Sequence, residues 1–240
     1  MLFKSLFQIL PLLVSVYAID LKPGIILVGD STVKWDGGWG IPGFAEVLNN
    51  STLKLFADYG VSGATTTSWQ TGPEYPLALE ACAKGNVWSY IQFGHNDQKV
   101  DNTTVFNANL LNLTKILRKA GCHPIMVTSL IRRNFATEFV PVDILEPYRN
   151  ETIKVAEILH LPYLDLWKSS LDYITKLGAT QSHVFNWGPG DNTHLNPFGS
   201  SYFARIVADL SIAHPVLPMH YFPLLRRNET LSAKIKAGEL

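Results

Sequence analysis

Short apolar runs alternate with helix-patterned stretches along most of this chain. The runs are Ile25 to Val28, Lys54 to Tyr59, Val87 to Phe93, Pro124 to Thr128 and Pro162 to Leu166. Each is four to seven residues long, the length of a strand rather than a helix. Between them lie helix candidates near Gly43 to Leu48, Pro76 to Lys84, Val105 to Ala120 and Pro147 to Leu159, and a last one from Pro197 to Ile212. The third is the clearest: Leu110, Leu113, Ile116 and Leu117 recur at helical spacing and Gly121 stops it. Strands alternating with helices imply an α/β fold, a parallel sheet covered on both faces. In such sheets ligands bind beyond the carboxyl ends of the strands. Chemistry-bearing residues just after a strand are therefore the ones to weigh.

The chain has 240 residues, 47% apolar and 17% charged, with 20 basic and 20 acidic side chains. That supports one large core and excludes disorder. Zero net charge and the absence of a basic run give no reason to expect nucleic acid as a partner. Met1 to Lys4 forms a short positive start, Ser5 to Val16 is largely apolar, and Val16-Tyr17-Ala18 has the small residues of a processing site. Residues 1–18 are thus expected to be a secretory signal peptide, with cleavage after Ala18 and no stable membrane anchor. One domain is expected from 19 to 240, with about 223–240 as a loosely packed tail. Sequons begin at Asn49, Asn50, Asn102, Asn112, Asn150 and Asn228, which suits a secreted glycoprotein. Cys82 and Cys122 both fall near a helix end just before a strand. Two readings stay open for them: a disulfide, or two small buried hydrophobes.

Three strand ends carry polar motifs. Gly29-Asp30-Ser31-Thr32 follows the first strand, Val61-Ser62-Gly63-Ala64 the second, and Gly94-His95-Asn96-Asp97 the third. Late in the chain stands Asp191-Asn192-Thr193-His194. A serine hydroxyl needs an adjacent base to act as a nucleophile. His194 can be that base for Ser31, with Asp191 holding the imidazole tautomer. Asn96 can donate its amide to an oxyanion, and the N–H groups of Gly63 and Ser31 can complete the hole. Each motif alone has an ordinary structural explanation: Ser31 as a cap, Asn96 and Gly63 as turn residues, the Asp-x-x-His loop as a polar lead-in to a helix capped by Asn196. Asp30 is expected to hold the turn, and His95 and Asp97 the third loop.

Taken in order, the four blocks resemble the SGNH (GDSL-type) hydrolase superfamily, named for a Ser, Gly, Asn and His that map here onto Ser31, Gly63, Asn96 and His194. They extend from residue 29 to residue 194, most of the chain beyond the signal. Within the superfamily, Gly-Asp-Ser-Thr, Gly38-Trp39-Gly40 and Phe93-Gly94-His95-Asn96-Asp97 look like the rhamnogalacturonan acetylesterase branch of secreted pectin-deacetylating enzymes. Thr32 stands where the group at large has Leu. The resemblance implies a three-layer α/β/α sandwich of flavodoxin-like type with a parallel five-stranded sheet. It also implies no metal or other cofactor, and an acetylated polysaccharide as substrate, rhamnogalacturonan first. A monomer is expected.

Trp35, Trp39, Trp69 and Trp187 lie in predicted loops near the catalytic blocks and could stack on sugar rings, although buried Trp is more often core. Arg132 and Arg133 follow the fourth strand and could pair with a galacturonate carboxylate; the alternative is a solvated pair of charges. Two rival functions remain: a lipolytic esterase or lysophospholipase of the same fold, and a catalytically silent carbohydrate-binding protein.

Overall fold

A computed structural model describes residues 22–34 and 36–240. The expected signal peptide and Trp35 lie outside the described residues. Five strands form one parallel sheet: β1 (Gly24–Gly29), β2 (Leu55–Gly60), β3 (Val87–Gln92), β4 (Cys122–Val127) and, after a short hairpin of β5 (Phe135–Thr137) and β6 (Val140–Pro141), β7 (Tyr163–Leu164). The order across the sheet is β2-β1-β3-β4-β7. The strand order therefore reverses at β1, whose neighbours are β2 and β3. A crevice opens beyond the carboxyl ends of strands at such a reversal.

Helices cover both faces. Near the start of the chain stands the short α1 (Ala45–Val47), followed after β2 by α2 (Thr66–Trp69) and α3 (Glu74–Ala83). Beyond β3 come α4 (Asp97–Val100) and α5 (Thr103–Lys119), and after the hairpin α6 (Glu146–Leu159). After β7 come α7 (Leu166–Ser182), α8 (Pro197–Ala213), the short α9 (Pro218–Tyr221) and α10 (Glu229–Ala237). Alternation along β1 explains the layering. Ile25 and Leu27 face a core built with α7 and α8, while Ile26 and Val28 face a second core built with α3, α5 and α6. All four are fully buried, as a parallel sheet with helices on both sides requires.

Local chemistry sets the helix ends. Asn102 accepts the Val105 N–H at the start of α5, and Gly121 follows its end with φ +108°. Asn196 accepts the Gly199 N–H ahead of Pro197 at the start of α8. Cys82 and Cys122 are joined, their Cα atoms 4.6 Å apart, tying the end of α3 to the start of β4.

Two expectations differ from the structure. The fifth strand ends at Leu164, and α7 begins at Leu166, where a strand was expected to continue. Asp165 caps this helix, accepting the Lys168 N–H, and the buried Leu166, Ser170, Tyr173, Ile174 and Leu177 form its inner stripe. The C-terminal segment is not loosely packed. Leu231, Ile235 and Leu240 lie against the α7–α8 core, and the Tyr173 hydroxyl donates to the Glu239 carbonyl at 2.8 Å. Leu224 and Leu225, buried at its start, anchor it together with these three side chains.

Candidate active site

Ser31 lies two residues beyond β1, on a turn shaped by its neighbour. Asp30 is fully buried, and its Oδ1 accepts both the Thr32 N–H at 2.8 Å and the Thr32 hydroxyl at 2.7 Å. Behind it the Gln92 amide donates to Thr32 Oγ1, and the Trp39 indole N–H donates to Gln92 Oε1 at 2.9 Å. This hydrogen-bonded row of buried side chains, running from Asp30 Oδ1 to the Trp39 indole, fixes the turn from below. Gly38 lies so close to the Thr32 backbone that a Cβ there would collide with it, which is why a glycine is needed. Burial pushes the Asp30 carboxyl up to about 6, against the lowering effect of the Thr32 hydrogen bonds.

His194 comes from the loop before α8. Its Nε2 lies 2.9 Å from Ser31 Oγ, and its Nδ1 lies 2.9 Å from Asp191 Oδ2. A carboxylate can only accept, so Nδ1 carries the proton and Nε2 presents its lone pair to the serine hydroxyl. Asp191 Oδ1 also accepts the backbone N–H groups of Thr193 and His194, at 3.1 and 3.0 Å. Partial burial raises the Asp191 pKa. Hydrogen bonds from the His194 backbone and ring and from Thr193 outweigh it, so the group stays below its ordinary value, a carboxylate at neutral pH.

Both arginines expected to reach substrate brace these loops instead. Arg133 is buried, with Nη2 donating to the His194 carbonyl at 2.6 Å and Nε donating to Asn186 Oδ1 at 2.7 Å. Arg132 is 9% exposed and donates to the His95 carbonyl at 3.0 Å. A guanidinium presents its donors in a rigid fork, which lets Arg133 hold a backbone carbonyl and an amide oxygen at once. Trp39 and Trp69 are likewise corrected. Both are buried in the core, the Trp69 indole donating to the Tyr59 carbonyl and its ring edge-on to Phe93. Trp187 alone of the three is open to solvent, 52% exposed, and it lines the cleft.

The cleft has a volume of about 420 Å³ and is lined by Ser31, His194, Asp191, Gly63, Asn96 and Trp187 among others. Gly63 has φ +76°, and a Cβ there would meet no atom within 4 Å. Its backbone conformation, rather than crowding, is what favours glycine. Asn96 donates from Nδ2 to the Ala64 carbonyl at 3.0 Å, which draws the loops after β2 and β3 together. Asp97 does the same one residue on, its Oδ1 accepting the Thr66 N–H and hydroxyl. The wall also contains Asp36, Ser62, Lys99 and Thr193, which sequence reasoning did not single out. Lys99 left one signal: it stands three residues after Asn96 in a helical turn, a spacing that brings side chains together.

The serine, the imidazole and the carboxylate thus form one hydrogen-bonded row at the mouth of a crevice where the strand order reverses. Such a row can activate a hydroxyl for attack on an ester carbonyl. No family model matches the chain. The chain is 28% identical over 207 residues to rhamnogalacturonan acetylesterase RhgT of Bacillus subtilis strain 168, a match covering 77% of this chain and 88% of that protein. Among solved structures it superposes on protein YxiM of Bacillus subtilis with a TM-score of 0.67 and 21% identity over 78% of this chain, which spans 55% of that protein. It also superposes on Axe2, an acetylxylan esterase from Geobacillus stearothermophilus, with a TM-score of 0.59 and 16% identity over 80% of this chain and 96% of that one. In the order of its motifs and in its three-layer fold the chain is thus similar to hydrolases of the SGNH superfamily.

Proposed function

We propose that this protein is a secreted acetylesterase that removes acetyl groups from a plant cell-wall polysaccharide, rhamnogalacturonan before xylan, through Ser31, His194 and Asp191. The observation that carries the mechanism is the pair of 2.9 Å contacts, Ser31 Oγ to His194 Nε2 and His194 Nδ1 to Asp191 Oδ2. Ser31 Oγ attacks the acetyl carbonyl carbon while His194 Nε2 takes the hydroxyl proton. The carbonyl oxygen becomes an oxyanion held by the N–H groups of Ser31 and Gly63 and by Asn96 Nδ2. Each such donor is worth roughly 3–4 kcal/mol because its bond strengthens only as charge develops. His194 then gives the proton to the departing sugar oxygen. A water, deprotonated by the same imidazole, attacks the acyl carbon; the C–Oγ bond breaks, acetate leaves, and His194 returns the proton to Ser31 Oγ. Asp191 holds the ring and stabilises the imidazolium.

Trp187 is the side chain best suited to a sugar, since its exposed ring lies on the cleft wall. The rhamnogalacturonan assignment is supported by the curated relative, and the xylan alternative by the name of Axe2. Secretion is supported by the character of residues 1–18 and by the Cys82–Cys122 bridge, since disulfides persist in oxidising compartments. Among the described residues no helix is long and apolar enough to cross a membrane.

Acetate release from acetylated rhamnogalacturonan, acetylated xylan and an aryl acetate, by wild type and Ser31→Ala, tests the reading. It predicts fastest release from rhamnogalacturonan and loss of all three activities in the variant. Release from the aryl ester alone removes the polysaccharide assignment.

A further inference from the structure

The orientation of a carboxamide is ambiguous unless its partners can act in only one way. Asn96 has two such partners. Lys99 Nζ, 3.0 Å from Asn96 Oδ1, has only protons to give. The Ala64 carbonyl, 3.0 Å from Asn96 Nδ2, only accepts. The amide oxygen therefore faces Lys99 and the amide nitrogen faces the loop after β2, one residue from Gly63. Nδ2 has a second N–H to give. The side chain of Asn96 does not cap α4, although Asn96 stands at the N-cap position immediately before Asp97. Its orientation is set by Lys99 and Ala64 rather than by the helix.

Lys99 is well placed to exert this control. Its backbone N–H donates to the Asn96 carbonyl at 3.0 Å, so one turn of helix returns its side chain over Asn96. Asn96 is 9% exposed, whereas Lys99 is exposed and lines the cleft. An ammonium bonded to an amide oxygen draws electron density from the amide and makes its N–H groups stronger donors. Without that cation, a half-turn of the carboxamide would aim the oxygen, an acceptor, at the developing oxyanion.

We propose that Lys99 is a positioning residue of the oxyanion site, holding the Asn96 carboxamide with its nitrogen toward the reacting ester and strengthening its N–H donors. The proposal rests on the reading of Asn96 as an oxyanion donor, and the test separates the two. Lys99→Met, Lys99→Arg, Asn96→Ala and the double variant Lys99→Met with Asn96→Ala are assayed on an aryl acetate and on the polysaccharide, with thermal unfolding as the check on folding. Asn96→Ala is expected to lower kcat by roughly 10²–10³-fold. Lys99→Met should lower kcat by about 10–100-fold on both substrates with KM within about twofold, as expected when a donor is misaligned rather than removed. Lys99→Arg should recover most of the loss. The double variant should be no slower than Asn96→Ala, because Lys99 acts through Asn96. If Asn96→Ala is impaired but Lys99→Met keeps its kcat, the positioning role is wrong. If the two losses multiply in the double variant, Lys99 does not act through Asn96. A rise in KM confined to the polysaccharide would make Lys99 a substrate contact instead. Full activity of Asn96→Ala would overturn the oxyanion reading, and the role of Lys99 with it.

Discussion

Replacing Asp30 by Asn should change how stability depends on pH while leaving the shape of the turn in place. Asn keeps an Oδ1 that can accept the Thr32 N–H and hydroxyl as Asp30 does. What it loses is titration. Burial lifts the Asp30 carboxyl from 3.8 to about 6, so the folded protein resists its ionisation more than the unfolded chain does. The sign follows: the contribution to stability is fullest below pH 3.8 and is lost as pH rises through about 6. With those two values, ionisation of Asp30 costs on the order of 2 kcal/mol at pH 5 and on the order of 3 kcal/mol at pH 8. Relative to Asp30→Asn, the wild type should therefore lose on the order of 1 kcal/mol between pH 5 and pH 8, or roughly 2–4 °C in Tm for a chain of this size. Urea unfolding of both proteins at the two pH values measures the difference. Any constant cost of the substitution cancels, since only the change in offset is read. An offset that stays the same from pH 5 to pH 8 would refute the reasoning and mean that Asp30 titrates alike in both states.

Cys82→Ser with Cys122→Ser should cost about 4 kcal/mol, because the bridge closes a loop across a sequence separation of 40 and so restricts the unfolded chain; denaturant unfolding checks it, and a loss below about 1 kcal/mol would contradict it. Trp39→Phe should lower stability by about 1–3 kcal/mol, since it leaves buried Gln92 Oε1 without the indole N–H. Trp187→Ala should leave stability within about 0.5 kcal/mol and raise KM on the polysaccharide alone. Thermal unfolding and steady-state kinetics separate these two tryptophans, and the opposite pattern would reverse their assignments.

The layered fold was legible because the parallel strands are short apolar runs between helical patterns, and Ile25 to Val28 is a clear example. The site was legible for a related reason: a parallel sheet brings residues after β1, β2 and β3 to one edge, so Ser31, Gly63 and Asn96 had to gather there. The loop carrying Asp191 and His194 was recognisable from its spacing before Pro197. Orientation was not legible. Trp39 and Trp69 sit in glycine- and threonine-rich stretches with no period to show which way they face, and both turn into the core. Arg132 and Arg133 look like exposed charges, yet they satisfy carbonyls of loops distant in sequence, at His95 and His194. Helix α7 was hidden because Leu164 and Leu166 flank Asp165 like an alternating strand. Its helical stripe becomes visible only when Asp165 is taken as a cap. The bridge between Cys82 and Cys122 depended on the lateral placement of α3 beside β4, which spacing along the chain does not determine.

The most direct test of the central claim is covalent labelling of the intact protein with a fluorophosphonate, followed by peptide mapping, in wild type, Ser31→Ala and His194→Ala. The phosphorus should bond to Ser31 Oγ with departure of fluoride, the adduct should be absent in Ser31→Ala, and labelling should be slowed by orders of magnitude in His194→Ala. Labelling of another residue, or equal labelling rates in wild type and His194→Ala, would contradict the account of Ser31 as a nucleophile activated by His194.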